Sequence, residues 1–216
     1  MQNKALIWDL DGTLFDSYPI IVSILHQALE EHGIQMAARE IHQYVIRYSV
    51  RDFVQKVAEE YRCPPEPLAH RFSQLQLGTD AKIHPMCHAP EILNLTAARG
   101  VSNFVYTHKG PSANQVLERM QLRQYFTEIV TSQNGFQRKP SAEAVNYLVQ
   151  KYQLNRQQTY YVGDRILDVE CAKNAGIQSI LFLSPDSCGS ASGQEDYLVQ
   201  DLLEIADILK WKKEDR

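Results

Sequence analysis

The residues whose types and spacing could do chemistry begin with Asp9 and Asp11, one residue apart in Ala5-Leu6-Ile7-Trp8-Asp9-Leu10-Asp11-Gly12-Thr13-Leu14-Phe15-Asp16. Two unit charges about 4 Å apart interact by roughly 4 kcal/mol at an effective dielectric near 20, so two ionised carboxylates held close require a compensating cation. A divalent metal or a nearby lysine would supply it. Gly12 permits a sharp turn there, and Thr13 adds a hydroxyl to the same loop. Three further polar groups belong with this pair. They are Thr107 in Tyr106-Thr107-His108-Lys109-Gly110, Lys139 in Arg138-Lys139-Pro140, and Asp164 with Asp168 in Val162-Gly163-Asp164-Arg165-Ile166-Leu167-Asp168. Each is ordinary by itself: Asp-Gly marks turns, Lys-Pro occurs in many loops, and an Asp after a strand often caps a helix.

Their meaning depends on the elements that place them. Ala5 to Trp8 are four consecutive apolar residues and read as a strand buried on both faces. Helical periodicity follows. Ser17 can cap a helix with Pro19 in its first turn, and Ile20, Ile21, Ile24, Leu25 and Leu29 recur on one face as far as Glu31. A second helix is expected over 37–44. A third starts at Ser49, with Asp52 in a capping arrangement, and a fourth carries Leu68, Phe72 and Leu75 after Pro64-Pro65. From Ile83 strands and helices alternate. Strands are expected over 101–106, 128–131, 159–162 and 178–183, helices over 90–99, 111–120, 141–152 and 166–174, and an amphipathic helix over 199–209.

This pattern predicts an α/β fold: a doubly wound parallel sheet built from residues 1–16 and 81–216, with a four-helix domain, residues 17–80, inserted after the first strand. A strand-to-helix connection is normally a few residues long, so an insertion of this size must form a unit of its own, placed over the carboxyl end of the first strand. Doubly wound sheets bind ligands at that edge. The polar groups fall at or just beyond the carboxyl ends of four different strands, Lys139 least directly.

The chain of 216 residues is 44% hydrophobic and 22% charged, with a formal net charge of -4, so nothing in it favours nucleic acid or an anionic membrane as partner. Cys63, Cys87, Cys171 and Cys188 are widely spaced without a CxxC pair, which signals neither a zinc site nor a disulfide framework. Met1-Gln2-Asn3-Lys4 leads straight into the first strand with no signal-peptide segment, and a cytoplasmic location is expected.

In order and content, DxDGT, a strand-end Thr, Lys-Pro and GDxxxD resemble the haloacid dehalogenase (HAD) superfamily of phosphotransferases. The helical insertion and the run Thr107-His108-Lys109-Gly110 are similar to its phosphoglycolate phosphatase-like branch, in which a helical cap follows the first motif. The resemblance implies a Rossmann-like core and an Mg²⁺-dependent phosphatase acting through an aspartyl-phosphate. In that scheme Asp9 is the nucleophile and Asp11 the general acid and base. Thr107 and the amide of His108 hold phosphate oxygens, and Lys139 balances the negative charge. Mg²⁺ is held by Asp9, the Asp11 carbonyl and Asp164, with Asp168 binding a metal water or orienting the others. Among Arg47, Tyr48, Ser49 and Arg51, between the second and third helices of the insertion, Arg51 is the first candidate for clamping an anionic substrate group. The side chains of His108, His84 and His88 invite a metal or acid/base role but read as surface or supporting residues. Arg165 stands where relatives often carry a small polar residue, and Pro85-Met86-Cys87 where they often carry Pro-Gly.

The implied partner is a small-molecule phosphate ester, with no nucleic acid and no membrane, for a monomer or homodimer. A phosphomutase of the β-phosphoglucomutase type shares the architecture and is separated only by its product. A dehalogenase would lack the second acid, Asp11. A phospho-accepting receiver module places its Asp on a later strand and has no room for the insertion.

Overall fold

The computed structural model describes residues 4–185, 187 and 189–210, so Cys188 and the N-terminal Met1-Gln2-Asn3 lie outside the described residues. The chain divides into two compact units, one formed by Met1–Asp16 with His84–Arg216 and the other by Ser17–Ile83.

The first unit is an α/β domain around a six-stranded parallel sheet. In chain order its elements are β1 (Ala5–Trp8), β2 (Phe15–Asp16), β3 (His84–Pro85), α5 (Ala89–Ala98), β4 (Ser102–Tyr106), α6 (Ser112–Arg119), β5 (Phe126–Val130), α7 (Glu143–Lys151), β6 (Thr159–Gly163), α8 (Ile166–Asn174), β7 (Gln178–Phe182), β8 (Tyr197–Val199) and α9 (Ile205–Ile208). The helices of the second unit intervene between β2 and β3. The sheet order is β5-β4-β1-β6-β7-β8, so successive strands run outward from β1 in both directions. The order therefore reverses beside β1, and the crevice at the carboxyl ends of β1, β4 and β6 is the topological switch point. All four residues of β1 are buried, as expected for a strand covered on both faces. On one face Ile7, Phe104, Val130 and Tyr161 pack with Val145 and Leu148 of α7 and Ala172 of α8.

Two features differ from the sequence reading. The amphipathic helix expected over 199–209 is instead a strand, a 3₁₀ turn at Leu202–Glu204 and the single turn of α9. Tyr197, Leu198 and Val199 pair with Ile180, Leu181 and Phe182, extending the sheet by an edge strand. Asp201 then starts a new turn: its carboxylate accepts the Leu203 N–H at 2.8 Å, and Glu204 accepts the Asp201 N–H at 2.9 Å. The apolar spacing reported burial correctly, since Val199, Leu202, Ile205, Ala206 and Leu209 are all buried, but that spacing suits a strand followed by turns equally well. The second feature is the short antiparallel pair of β2 and β3, in which Phe15 faces Pro85 and Asp16 faces His84. Met86 N–H donates to the Leu14 carbonyl at 2.9 Å, which holds the chain at Pro85-Met86-Cys87.

The second unit consists of α1 (Tyr18–Glu31), α2 (Ala38–Arg47), α3 (Val50–Glu60) and α4 (Pro65–Thr79). Ile21, Leu25, Leu29, Ile41, Val45, Phe53, Val57 and Phe72 form its core. Ser49 caps α3 through its hydroxyl, which accepts the Asp52 N–H at 3.0 Å. Ser17 occupies the corresponding place before α1, but its hydroxyl makes no capping bond, and Pro19 has no N–H to offer. Among the described residues no helix is long and apolar enough to cross a membrane.

A buried polar chain ties β1 to its neighbours. Trp8 Nε1–H donates to Asn103 Oδ1, Asn103 Nδ2 donates to Thr96 Oγ1 (both 2.9 Å), and Thr96 donates to the Leu93 carbonyl at 2.8 Å. Replacing Asn103 by leucine strands the indole N–H in an apolar interior, at a cost of about 1–3 kcal/mol, while the Thr96 hydroxyl keeps its bond to the Leu93 carbonyl. Asn103→Leu is expected to lower the urea midpoint accordingly, with Trp8 fluorescence as the probe; an unchanged midpoint would show that the chain contributes no stability.

Candidate active site

The site is built outward from the end of β1. Asp9 N–H donates to the Val162 carbonyl at 2.9 Å, so the last sheet bond of β1 toward β6 fixes the backbone of this residue. Leu10 N–H donates to Asp9 Oδ1 at 2.8 Å and orients the carboxylate. The Leu10 carbonyl accepts from Thr13, Leu14 and Phe15 at 3.1, 2.9 and 2.8 Å, and Gly12 adopts φ 81°, a left-handed conformation that favours glycine. This tight loop presents Asp11, whose Oδ1 lies 3.8 Å from Lys109 Nζ. It also presents Thr13, whose hydroxyl donates to Asp164 Oδ1 at 3.3 Å.

Beyond β4, Thr107 N–H donates to the Val130 carbonyl at 3.0 Å and its hydroxyl accepts the Lys109 N–H at 3.1 Å. That bond curls the Thr107-His108-Lys109 loop and carries the Lys109 ammonium to Asp11. Lys139 enters from the loop after β5, just before a cis peptide bond to Pro140. Its Nζ lies 2.9 Å from Asp9 Oδ2 and 2.7 Å from Asp168 Oδ1, over the rings of Tyr106 and Tyr161 at 5.3 and 5.1 Å. The lysine side chain is wholly buried.

After β6 the chain passes through Gly163 and Asp164 into α8. A Cβ on Gly163 would meet Asp168 atoms at 2.4 Å, so only glycine lets the Asp168 carboxylate fold back against the strand end. There its second oxygen accepts the Arg165 N–H at 3.1 Å and caps the helix, while the first holds Lys139. Arg165 Nη2 lies 3.5 Å from Asp9 Oδ2.

Burial would raise the Asp9 pKa, but the charges of Lys139 and Arg165 outweigh it, and the carboxyl is held below its ordinary value. For Lys139, burial favours the neutral amine and the Asp168 and Asp9 carboxylates reverse this, so the ammonium is held. The Asp9 carboxylate and the Lys139 ammonium thus stabilise one another's charged forms.

The structure thus brings Asp9, Asp11, Thr107, His108, Lys139, Asp164 and Asp168 to one end of the sheet. Arg51 is on the other unit, exposed in the first turn of α3. Carboxylate oxygens of Asp9, Asp164 and Asp168 lie within 4.8 Å of one another, and the three residues are buried. Asp9 Oδ2 and Asp11 Oδ1 have cations beside them but accept no aligned hydrogen bond. Buried oxygens in that condition suit a hard divalent cation such as Mg²⁺, which takes carboxylate and carbonyl donors. Asp168 is already engaged by Lys139 and by the start of α8, which suits orientation of the others.

Several contributors were not singled out by sequence reasoning. Lys109 was visible within the quoted motif but drew no role, and nothing local marks Tyr106 and Tyr161 as the rings beneath Lys139. The His108 imidazole, read only as a surface or supporting group, holds the Lys139 backbone. Its Nε2 accepts the Lys139 N–H at 2.9 Å, and Arg138 Nη2 lies 3.0 Å from Nδ1.

Burial, with the Lys139 and Arg138 charges adding to it, pushes the His108 pKa down to about 2. The ring is neutral when folded, whereas in the unfolded chain it titrates near its ordinary value of about 6.5. Below that pH the unfolded state takes up a proton that the folded state refuses, so stability falls as pH falls. The slope is about 1.4 kcal/mol per pH unit, or about 2 kcal/mol between pH 6.5 and 5. Urea unfolding across this range is expected to show that loss in the parent and a flatter profile in His108→Asn. Parallel profiles would remove His108 as the cause.

Comparison with known proteins agrees with the arrangement. The profile of the family described as haloacid dehalogenase-like hydrolase matches residues 6–182. The chain is 25% identical over 218 residues to a phosphoglycolate phosphatase of Vibrio cholerae, covering 95% of this chain and 96% of that protein. It is 25% identical over 227 residues to a protein of Caldanaerobacter subterraneus subsp. tengcongensis with the provisional name pyrophosphatase PpaX, covering 100% and 98%. Among solved structures, that of a predicted phosphoglycolate phosphatase from Haemophilus somnus 129pt superposes with a TM-score of 0.85 at 20% identity, covering 97% of this chain and 99% of that one. With the fold, the site and the family profile in agreement, the chain belongs to the haloacid dehalogenase-like hydrolases.

Proposed function

We propose that this protein is an Mg²⁺-dependent phosphatase that hydrolyses a small-molecule phosphate monoester through an aspartyl-phosphate on Asp9. The observation that carries the reading is the pairing at Asp9. Its carboxylate is buried, kept ionised by Lys139, and beside Asp164, so it combines a nucleophile with half of a cation site. Bound Mg²⁺, held by Asp9, the Asp11 carbonyl and Asp164, would neutralise charge on the transferring phosphoryl group. Asp9 attacks phosphorus as the bond from phosphorus to the ester oxygen breaks, and the leaving oxygen takes a proton from Asp11. Water then attacks the aspartyl-phosphate, surrenders a proton to Asp11, and releases inorganic phosphate with the Asp9 carboxylate restored. Asp11 is placed for this exchange because its side chain is 22% exposed, in contrast to Asp9 at 2%. Thr107 and the His108 amide are proposed to receive phosphate oxygens. Lys139 holds the charge of Asp9 and the incoming phosphoryl in one field.

The relatives named as phosphoglycolate phosphatases support a small anionic metabolite as substrate. Asp9→Asn is expected to abolish release of inorganic phosphate from p-nitrophenyl phosphate, a loss of at least about 1,000-fold on removal of a covalent nucleophile. Chelation of divalent cations should abolish it in the parent, with recovery on adding Mg²⁺. Wild-type-like turnover in either experiment contradicts the mechanism, and an isomeric phosphate ester in place of free phosphate would make the enzyme a mutase.

A further inference from the structure

We propose that Arg165 is a phosphoryl-binding residue of this enzyme, placed beside the nucleophile to receive oxygens of the substrate phosphate. The inference deepens the phosphatase reading and rests on it.

The backbone of Arg165 is fixed. Its N–H is held by Asp168 Oδ2 at 3.1 Å, and its φ of -126° and ψ of 155° put it at the extended residue that opens α8. From there the guanidinium reaches Asp9 Oδ2, the same oxygen that Lys139 approaches at 2.9 Å. The two contacts differ in kind. The Lys139 ammonium is enclosed between two carboxylates, whereas the Arg165 contact of 3.5 Å lies beyond a good N–H···O bond and is held by charge more than direction.

Exposure points the same way. Of the three cations beside Asp9 and Asp11 among the described residues, the side chains of Lys139 and Lys109 are 0% and 1% exposed while that of Arg165 is 11% exposed. Of these three, Arg165 is therefore the most open to an entering anion. Charge points the same way: a phosphoryl group at Asp9 brings negative oxygens to the place the Arg165 guanidinium already faces at 3.5 Å. A planar guanidinium also matches two phosphate oxygens at once, which a lysine does not.

The test uses the full chain at saturating Mg²⁺, with Arg165→Met and Arg165→Lys beside the parent. Inorganic phosphate is titrated as an inhibitor of p-nitrophenyl phosphate hydrolysis, and Mg²⁺ binding is followed separately by calorimetry. Arg165→Met is expected to raise both the phosphate inhibition constant and KM about tenfold or more, the scale of a lost charge-assisted hydrogen bond. Arg165→Lys should recover part of this, and Mg²⁺ should still bind both variants. The lysine variant retains the charge, so it gives a readout should the methionine variant fail to fold. An unchanged phosphate inhibition constant in the variants overturns the proposal and leaves Arg165 as a counter-ion to the carboxylates. If the parent itself neither hydrolyses the ester nor binds phosphate, the phosphatase reading fails and takes this inference with it, an outcome visible before any variant is made.

Discussion

A lysine ammonium with no exposed surface sits between two buried carboxylates, and the rest of the catalytic end is arranged to make that state possible. Taking one such ion out of water costs several kcal/mol even after the protein relaxes, and a single partner seldom offsets it. Lys139 has Asp9 at 2.9 Å and Asp168 at 2.7 Å, with the faces of Tyr106 and Tyr161 beneath. Each partner is itself held: Asp9 by the Leu10 amide, Asp168 by the Arg165 amide, and the Lys139 backbone by the His108 ring. Tyr161 donates to the Tyr106 carbonyl at 2.8 Å and Tyr106 to the Gln137 carbonyl at 3.0 Å, so the rings cannot swing away without losing buried bonds. Removing Lys139 leaves two carboxylates facing one another in the interior, a situation worse than having no ion pair at all.

Such a network needs a scaffold that brings distant parts of the chain to one point, and the parallel sheet provides it. Asp9 follows β1, Thr107 follows β4, and Asp164 follows β6; β4 and β6 are the two neighbours of β1. Because all three strands run the same way, their carboxyl ends share one edge, and residues separated by more than a hundred positions become neighbours. Gly163 then fills a role no other residue can, since any Cβ there would occupy the space of Asp168. The backbone path and the charge network are therefore one constraint.

This explains which parts were legible in the sequence. The parallel strands and their order of appearance are written in continuous apolar runs such as Ala5–Trp8 and in the period of the intervening helices. The acids and Lys139 could be recognised because local motifs mark the ends of such strands. The chain after Phe182 was misread because Val199, Leu202, Ile205 and Leu209 have helical spacing while only Ile205–Ile208 is α-helix; the edge pairing of β8 is a non-local choice that spacing does not encode. The rings under Lys139 and the partner of the His108 imidazole escaped for the same reason. Tyr106 and Tyr161 read as ordinary strand residues until the two strands are placed on either side of β1.

Under the proposed mechanism, the gradient of exposure through the site lets one network both hold charge and move protons. Asp9 and Lys139 are enclosed, where the field between them is strong and unchanging. Asp11, on the loop that Gly12 turns outward, keeps about a fifth of its side chain in contact with solvent. A group that gives a proton to a leaving oxygen and takes one back from water must reach both, whereas a group that attacks phosphorus gains from being dry and fixed. In the proposed mechanism, the spacing of one residue between the two aspartates is what makes this division. It puts Asp9 at the last sheet bond, within the rigid edge of the sheet, and Asp11 two residues beyond it, in a turn whose geometry is set by the Leu10 carbonyl and open to water.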